Sequence, residues 1–427
     1  MYHFIGIKGS GMSALAIIMK QLGYIVQGSD YNKHYFTEEE LVKNNIKILE
    51  FDKNNITDDL IIIKGNMFND DNIEVSEAKR KKLKIYTYQE MVAKITSNFN
   101  LIAISGCHGK TTTSSLLAHV IESNYLIGDG SGGCNNSNYF VLEACEYKRH
   151  FLNYNPNYTI ITNIELDHVD YYKDINDVIN AYQEFVNRSN IIILYGDSIY
   201  TKKIKHNKIY TYGIEDSNIF QARNINYKTD GLSYDLYVNN SFKYHFNLPF
   251  YGKHMVLNTL AVISLCYLEK FSLDSVHDKF LTFKGAKRRF NETKVLDNIV
   301  IDDYAHHPSE IEAVINSCKQ KYPNKKIVSV FEPHTYSRTQ KFAKEIVSKL
   351  NLCDYTYVMD IYKSREKQSD YPDVKSDMII NELDNGEHIK DIKKLLKHHD
   401  SVILFMSPND LSTFENEYIK AYLNLTK

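Results

Sequence analysis

The run Ile104-Ser105-Gly106-Cys107-His108-Gly109-Lys110-Thr111-Thr112-Thr113 combines glycines, a lysine and hydroxyls at a spacing suited to phosphate. Glycines let a backbone wrap phosphate oxygens, and N–H groups at a helix start attract the anion. Lys110 would reach the β/γ-phosphates, and Thr111 would offer its hydroxyl to Mg²⁺. Ile104 stands where a full Walker A pattern has glycine, so a plain strand-to-helix turn is the competing reading. A second glycine loop, Gly6, Gly9 and Gly11, has the spacing G-x-x-G-x-G and lacks the strict dinucleotide fingerprint. It suits a diphosphate at a helix start, with Asp30 as a ribose-binding acid, or it only tightens a turn.

Further groups gather where strands should end. Glu143-Ala144-Cys145-Glu146 closes one and Asn163-Ile164-Glu165-Leu166-Asp167-His168 the next. Carboxylate oxygens suit Mg²⁺, whereas His168 is either a ligand or a helix-start residue. His254 and Asn258, four apart, share a helix face and could read a base or simply cap and face solvent. Lys287-Arg288-Arg289-Phe290 is a solvated basic run or a phosphate clamp at a domain junction. Asp302-Asp303-Tyr304-Ala305-His306-His307-Pro308 and Glu332-Pro333-His334-Thr335-Tyr336-Ser337-Arg338 are dense in titratable groups.

The elements that must position these groups follow an α/β alternation. A strand over 2–7, the glycine turn, a helix over 12–22 and a strand over 24–26 open the chain, with further strands at 59–63 and 84–86. A second unit begins with a strand at 101–104 and a helix at about 111–123, then strands at 139–143, 159–162 and 191–194. Residues 205–250 alternate apolar and polar positions and predict an antiparallel accessory sheet, followed by a helix over 255–268. A third unit carries strands at 299–302, 326–331, 355–359 and 401–406. Mostly parallel sheets with helices on their faces are expected. In such sheets the strand C-termini face the ligand crevice, so Lys110, Thr111, Glu143 and His168 are expected to converge.

The 427 residues suffice for two or three domains, each able to bury a core. A net charge of -2 provides no field for nucleic acid or an acidic membrane. The six cysteines, Cys107, Cys134, Cys145, Cys266, Cys318 and Cys353, form no CxxC pair, which points to reduced thiols in a cytoplasmic protein. Neither a signal peptide nor an apolar run of about 18 residues is evident, so no membrane insertion is expected.

Taken in order, FIGIKGSGMSALA, VQGSD, SGCHGKTTT, LEACEY, TNIELDH, YGKHMVLNTLA, FKGAKRRF, DDYAHHPSEIEAV, FEPHTYSRT and DIYKSREK resemble the Mur ligase family. DDYAHHP with the GCHGKT loop is the most specific combination. The resemblance implies three domains: 1–97 binding UDP-N-acetylmuramate, 98–287 binding ATP, and 288–427 binding the amino acid. The first and third would be Rossmann-like, and the second a P-loop-type domain. It implies ATP-dependent ligation of L-alanine to the lactyl carboxylate of UDP-N-acetylmuramate through an acyl phosphate, with ATP and Mg²⁺ required. It places Gly106, Cys107, His108, Gly109, Lys110, Thr111, Thr112, His254, Asn258, Arg288 or Arg289, and Asp303 against ATP. Thr111, Glu143 and His168 are implied as metal ligands. Gly9, Ser10, Gly11, Met12, Ser13, Asp30, Asn163, Tyr304, His306 and Arg338 are implied at the substrates, with Lys110, His168, His306 and Arg338 catalytic. Three departures stand out. Lys8 replaces a common glycine and is expected to add a cation near the UDP diphosphate. Thr335 replaces a common arginine, and Ser407-Pro408-Asn409 replaces a glycine-rich turn. Lys173 is not assigned the modified-lysine role known in some relatives. The alternatives are a ligase recycling whole peptides onto UDP-N-acetylmuramate and a nicotinamide-dependent oxidoreductase. Oligomeric state is not legible.

Overall fold

The computed structural model describes residues 1–35 and 37–425. It holds three α/β domains, each built on its own sheet, and the chain gathers into two compact units. One comprises Met1–Ile164, Ile179–Tyr212 and Ala261–Lys279; the other comprises Glu165–Val178, Gly213–Leu260 and Phe280–Lys427.

In the first unit, a five-stranded parallel sheet runs in the spatial order Lys47–Leu49, Val26–Ser29, Tyr2–Ile5, Ile61–Lys64, Ile85–Thr87. Its first strand leads through the glycine loop into the helix Ser10–Gln21. Ile5, Ile56, Leu60, Ile62, Val75 and Ala78 form a buried cluster under this sheet. The same unit carries strands in the order Ile209–Gly213, Ile191–Tyr195, Tyr158–Ile161, Asn100–Ser105, Tyr139–Glu143, Asn124–Leu126, Gly132–Gly133. All pair in parallel except the last. Parallel pairing leaves every crossover on a face, so these strands are buried on both sides and read as apolar runs such as Ile191-Ile192-Ile193-Leu194. The phosphate-loop helix runs Lys110–Val120, which makes Lys110 its first residue.

The second unit contains the antiparallel strands Phe220–Lys228, Gly231–Val238 and Ser241–Leu248; the expected antiparallel stretch of 205–250 thus holds from 220 onward, whereas Ile209–Gly213 at its start pairs in parallel with Ile191–Tyr195. Its six-stranded sheet is ordered Asn291–Val295, Asn298–Asp303, Ser401–Met406, Lys326–Phe331, Tyr355–Val358, Gly386–His388. Only the edge strand Asn291–Val295 is antiparallel. Side chains alternate across it: Ile299, Ile301, Val402 and Leu404 enter one core, while Val300, Ile403 and Phe405 enter another with Tyr418 and Tyr422.

The replaced turn at 407–409 has a defined task. Ser407 is fully buried, and its hydroxyl donates to Glu332 Oε2 at 2.6 Å. The carbonyls of Ser407 and Pro408 accept from Arg288 at 2.7 and 3.3 Å.

Candidate active site

The phosphate loop is shaped from below by the neighbouring parallel strand. Gly106 lies at φ 143°, and a Cβ there would collide with the Thr162 hydroxyl. Gly109, at φ 79°, caps the helix. Asn163 grips the loop from both ends of its amide: it accepts from the His108 N–H and donates to the His108 carbonyl, each at 3.0 Å. The Thr162 hydroxyl donates to the same carbonyl at 2.5 Å. Asn163 thus braces the loop.

Lys110 Nζ donates to the carbonyls of Gly106 and Cys107 and to Glu146 Oε1, the last at 3.0 Å. Burial is the largest influence and opposes the charged form, but Glu146, with Cys145, Glu143 and Cys107 adding to it, outweighs burial and raises the Lys110 pKa. Lys110 is therefore a fixed cation at neutral pH. Thr111 Oγ1 donates to Glu143 Oε1 at 3.2 Å. These two hard oxygen donors meet beside the loop and fit Mg²⁺. His168 belongs to the other unit. It sits in a left-handed turn at φ 50°, ahead of the helix Ile175–Val186, so it is not a helix-start residue.

A turn that escaped sequence reading completes this region. Gly128 N–H donates to Glu143 Oε2 at 2.8 Å, and a Cβ on Gly128 would lie 2.6 Å from Glu143 Oε1. Gly130 packs on Ser10 of the N-terminal glycine loop. The sequence signal was available as Gly128-Asp129-Gly130, a turn-forming triplet. Gly128→Ala is expected to displace Glu143 and raise the Mg²⁺ concentration for half-maximal activity about tenfold. A phosphate-release titration against Mg²⁺ checks this, with the melting temperature unchanged.

At the N-terminal loop, Asp30 is buried and accepts from the backbone N–H groups of Lys8 (2.7 Å) and Tyr31 (2.8 Å). It holds the backbone at Lys8 and Tyr31 in place. The Lys8 side chain is engaged locally. Its ammonium donates to the carbonyls of Tyr31 (3.3 Å) and Lys33 (2.9 Å) and pairs with Glu38.

In the second unit, Arg288 and Arg289 part company. Arg288 is held bidentately by Asp302 and by the two carbonyls at 407–408. Arg289 lies over the Tyr304 ring, 4.8 Å from its centroid, and 3.5 Å from Glu310. Asp303 accepts from the N–H groups of Phe290 and Ala305, both at 2.8 Å, and burial lifts its pKa to about 6. His254 is half-buried at the start of the helix Lys253–Leu268, with Asn258 buried one turn on. Burial and Arg289 lower the His254 pKa to about 4, so its ring is neutral.

His306 lies 3.0 Å from the Tyr304 carbonyl through Nδ1. A carbonyl only accepts, so Nδ1 carries the proton and Nε2 keeps its lone pair. Burial lowers the His306 pKa to about 4. Arg338 is buried and donates to Asp167 Oδ1 through Nε (3.3 Å) and Nη2 (2.7 Å).

The family model described as "Mur ligase family, catalytic domain" matches residues 1–100, "Mur ligase middle domain" matches 131–266, and "Mur ligase, glutamate ligase domain" matches 288–410. The chain belongs to the Mur ligase family. Like other Mur ligases, it is an ATP-dependent ligase of peptidoglycan synthesis, which sets aside the oxidoreductase alternative. UDP-N-acetylmuramate–alanine ligase MurC from Thermotoga maritima is 25% identical, with a TM-score of 0.82 over 100% of this chain and 99% of that one. A murein peptide ligase from Psychrobacter arcticus is 21% identical, with a TM-score of 0.71 over 99% and 98%. A Mur ligase of the MurF type from Thermotoga maritima, solved with ADP, is 16% identical, with a TM-score of 0.63 over 94% and 96%. Among the described residues, no helix is long and apolar enough to cross a membrane.

Proposed function

We propose that this Mur ligase joins L-alanine to the lactyl carboxylate of UDP-N-acetylmuramate, consuming ATP in the cytoplasm. The supporting observation is the whole-chain likeness to the Thermotoga maritima alanine ligase, at a higher TM-score than the likeness to the murein peptide ligase. The domain roles follow: 1–97 for the UDP-sugar, 98–287 for ATP and 288–427 for the amino acid.

The carboxylate oxygen attacks the γ-phosphorus and ADP leaves, which sets two anions against each other. Such a transfer depends on positioning and charge stabilisation. Lys110, fixed by Glu146, supplies a cation at the γ-phosphate. Thr111 and Glu143 would hold Mg²⁺, which would neutralise developing charge on the phosphates, and His168 would be a ligand of a second ion. Gly106 to Thr112 cradle the phosphates, His254 and Asn258 read the adenine, and Arg289 faces the nucleotide phosphate. Gly9, Ser10, Gly11, Met12 and Ser13 hold the UDP-sugar diphosphate. Arg338 takes the alanine carboxylate. The amine then attacks the acyl carbon, phosphate leaves, and the neutral His306 accepts the amine proton at Nε2.

Phosphate release from ATP, Mg²⁺ and UDP-N-acetylmuramate is the test. Release that requires L-alanine supports the proposal. Release with L-alanyl-γ-D-glutamyl-diaminopimelate but not with L-alanine moves the assignment to the peptide-recycling ligase.

A further inference from the structure

The segment Glu332–Arg338 contains a backbone outlier. Thr335 lies at φ 63°, ψ 145°, a region that β-branched residues almost never occupy. It is held there from several sides. Thr335 N–H donates to the Tyr362 carbonyl at 2.9 Å, and Tyr362 N–H donates to the Pro333 carbonyl at 2.8 Å. Glu366 accepts from the N–H groups of Tyr336 (2.6 Å) and Ser337 (3.0 Å) and from the Ser337 hydroxyl. The turn so enforced brings His334 back against Arg338, with Arg338 Nη1 2.8 Å from His334 Nδ1.

Arginine has no acceptor, so His334 Nδ1 must be the acceptor and the neutral ring carries its proton on Nε2. The surroundings enforce that state. Burial, then His306, Arg338 and Arg365, push the His334 pKa down to about 2 against the opposing pull of Asp167. Tyr362 stacks on the ring at 5.8 Å and His306 meets it edge-on at 5.6 Å. Of the five guanidinium N–H groups, Asp167 takes two and His334 one, which leaves two for a ligand.

We propose that His334 is a positioning residue for the amino-acid substrate, fixing with Asp167 the plane in which Arg338 presents its remaining donors to the substrate carboxylate. This rests on the reading of Arg338 given above. A planar fork binds a carboxylate well only when its orientation is set in advance, so loss of one clamp shows as weaker amino-acid binding.

The test compares His334→Leu with His334→Asn in the full chain. The asparagine amide oxygen can replace Nδ1 as acceptor, whereas leucine fills space without accepting. His334→Leu is expected to raise the KM for L-alanine about tenfold, leaving the KM for ATP and for UDP-N-acetylmuramate within about twofold. His334→Asn is expected to stay near wild type. A packing role predicts the reverse order, and that order, or an unchanged alanine KM in both variants, overturns the proposal. Histidine ¹⁵N shifts of the wild-type protein test it without any variant. An Nε2–H tautomer between pH 5.5 and 8 is expected, and an Nδ1–H tautomer or a protonated ring overturns it. If the wild type ignores L-alanine, the substrate reading fails, while the tautomer still reports on the clamp.

Discussion

Lys110→Ala is expected to abolish phosphate release, with a loss of at least about 10³-fold in kcat, because on the proposed reading the γ-phosphate loses the cation that offsets its developing charge. The structure adds a stability effect to the catalytic one. Glu146 is almost fully buried, and Lys110 is its partner at 3.0 Å. Removing one member of a buried pair leaves an uncompensated charge, which costs about 3–5 kcal/mol. The double variant Lys110→Ala/Glu146→Gln removes both charges and is expected to regain most of that stability while remaining inactive. Chemical denaturation beside the phosphate assay separates the two effects. Near-normal turnover in folded Lys110→Ala would refute the role given to the loop.

Arg338→Met is expected to destabilise the protein by a similar amount, about 3–5 kcal/mol, because Asp167 keeps its burial and loses its cation. Arg338→Lys retains a charge but not the fork, and is expected to raise the KM for L-alanine by about 10²-fold with a smaller loss of stability. The same pair imposes an acid limit. Burial works against the charged form of Asp167, but Arg338 and the neighbouring His168, His307 and His306 hold its carboxyl well below the usual carboxylate range. A depressed folded-state pKa contributes stability that is complete above the unfolded value of about 4 and is lost as pH falls through the folded one. Stability should therefore decline below about pH 4 in the wild type, with this contribution absent in Asp167→Asn. Urea melts at pH 5 and pH 3 measure the difference.

Much of this was written locally. Glycine spacing between an apolar run and an amphipathic one specifies a strand, a turn and a helix, because backbone preference and periodicity act over a few residues. The phosphate loop, the N-terminal loop, the parallel strands and the antiparallel segment were legible for that reason. Strands of two or three residues, such as Lys47–Leu49, Gly132–Gly133 and Gly386–His388, were not, since they are too short to show a period. The tertiary structure alone decided which side chains meet. Asn163 braces a loop 55 positions earlier because Tyr158–Ile161 pairs in parallel with Asn100–Ser105. Arg338 meets Asp167 across 171 positions, and Lys8 turns onto the carbonyls at 31 and 33. Arg288 and Arg289 are adjacent and chemically identical, yet only the fold gives Arg288 to Asp302 and Arg289 to the face of Tyr304. Sequence supplied the chemical groups and the elements that carry them; strand register, burial and a few enforced backbone turns set their partners, because those depend on contacts between residues far apart in the chain.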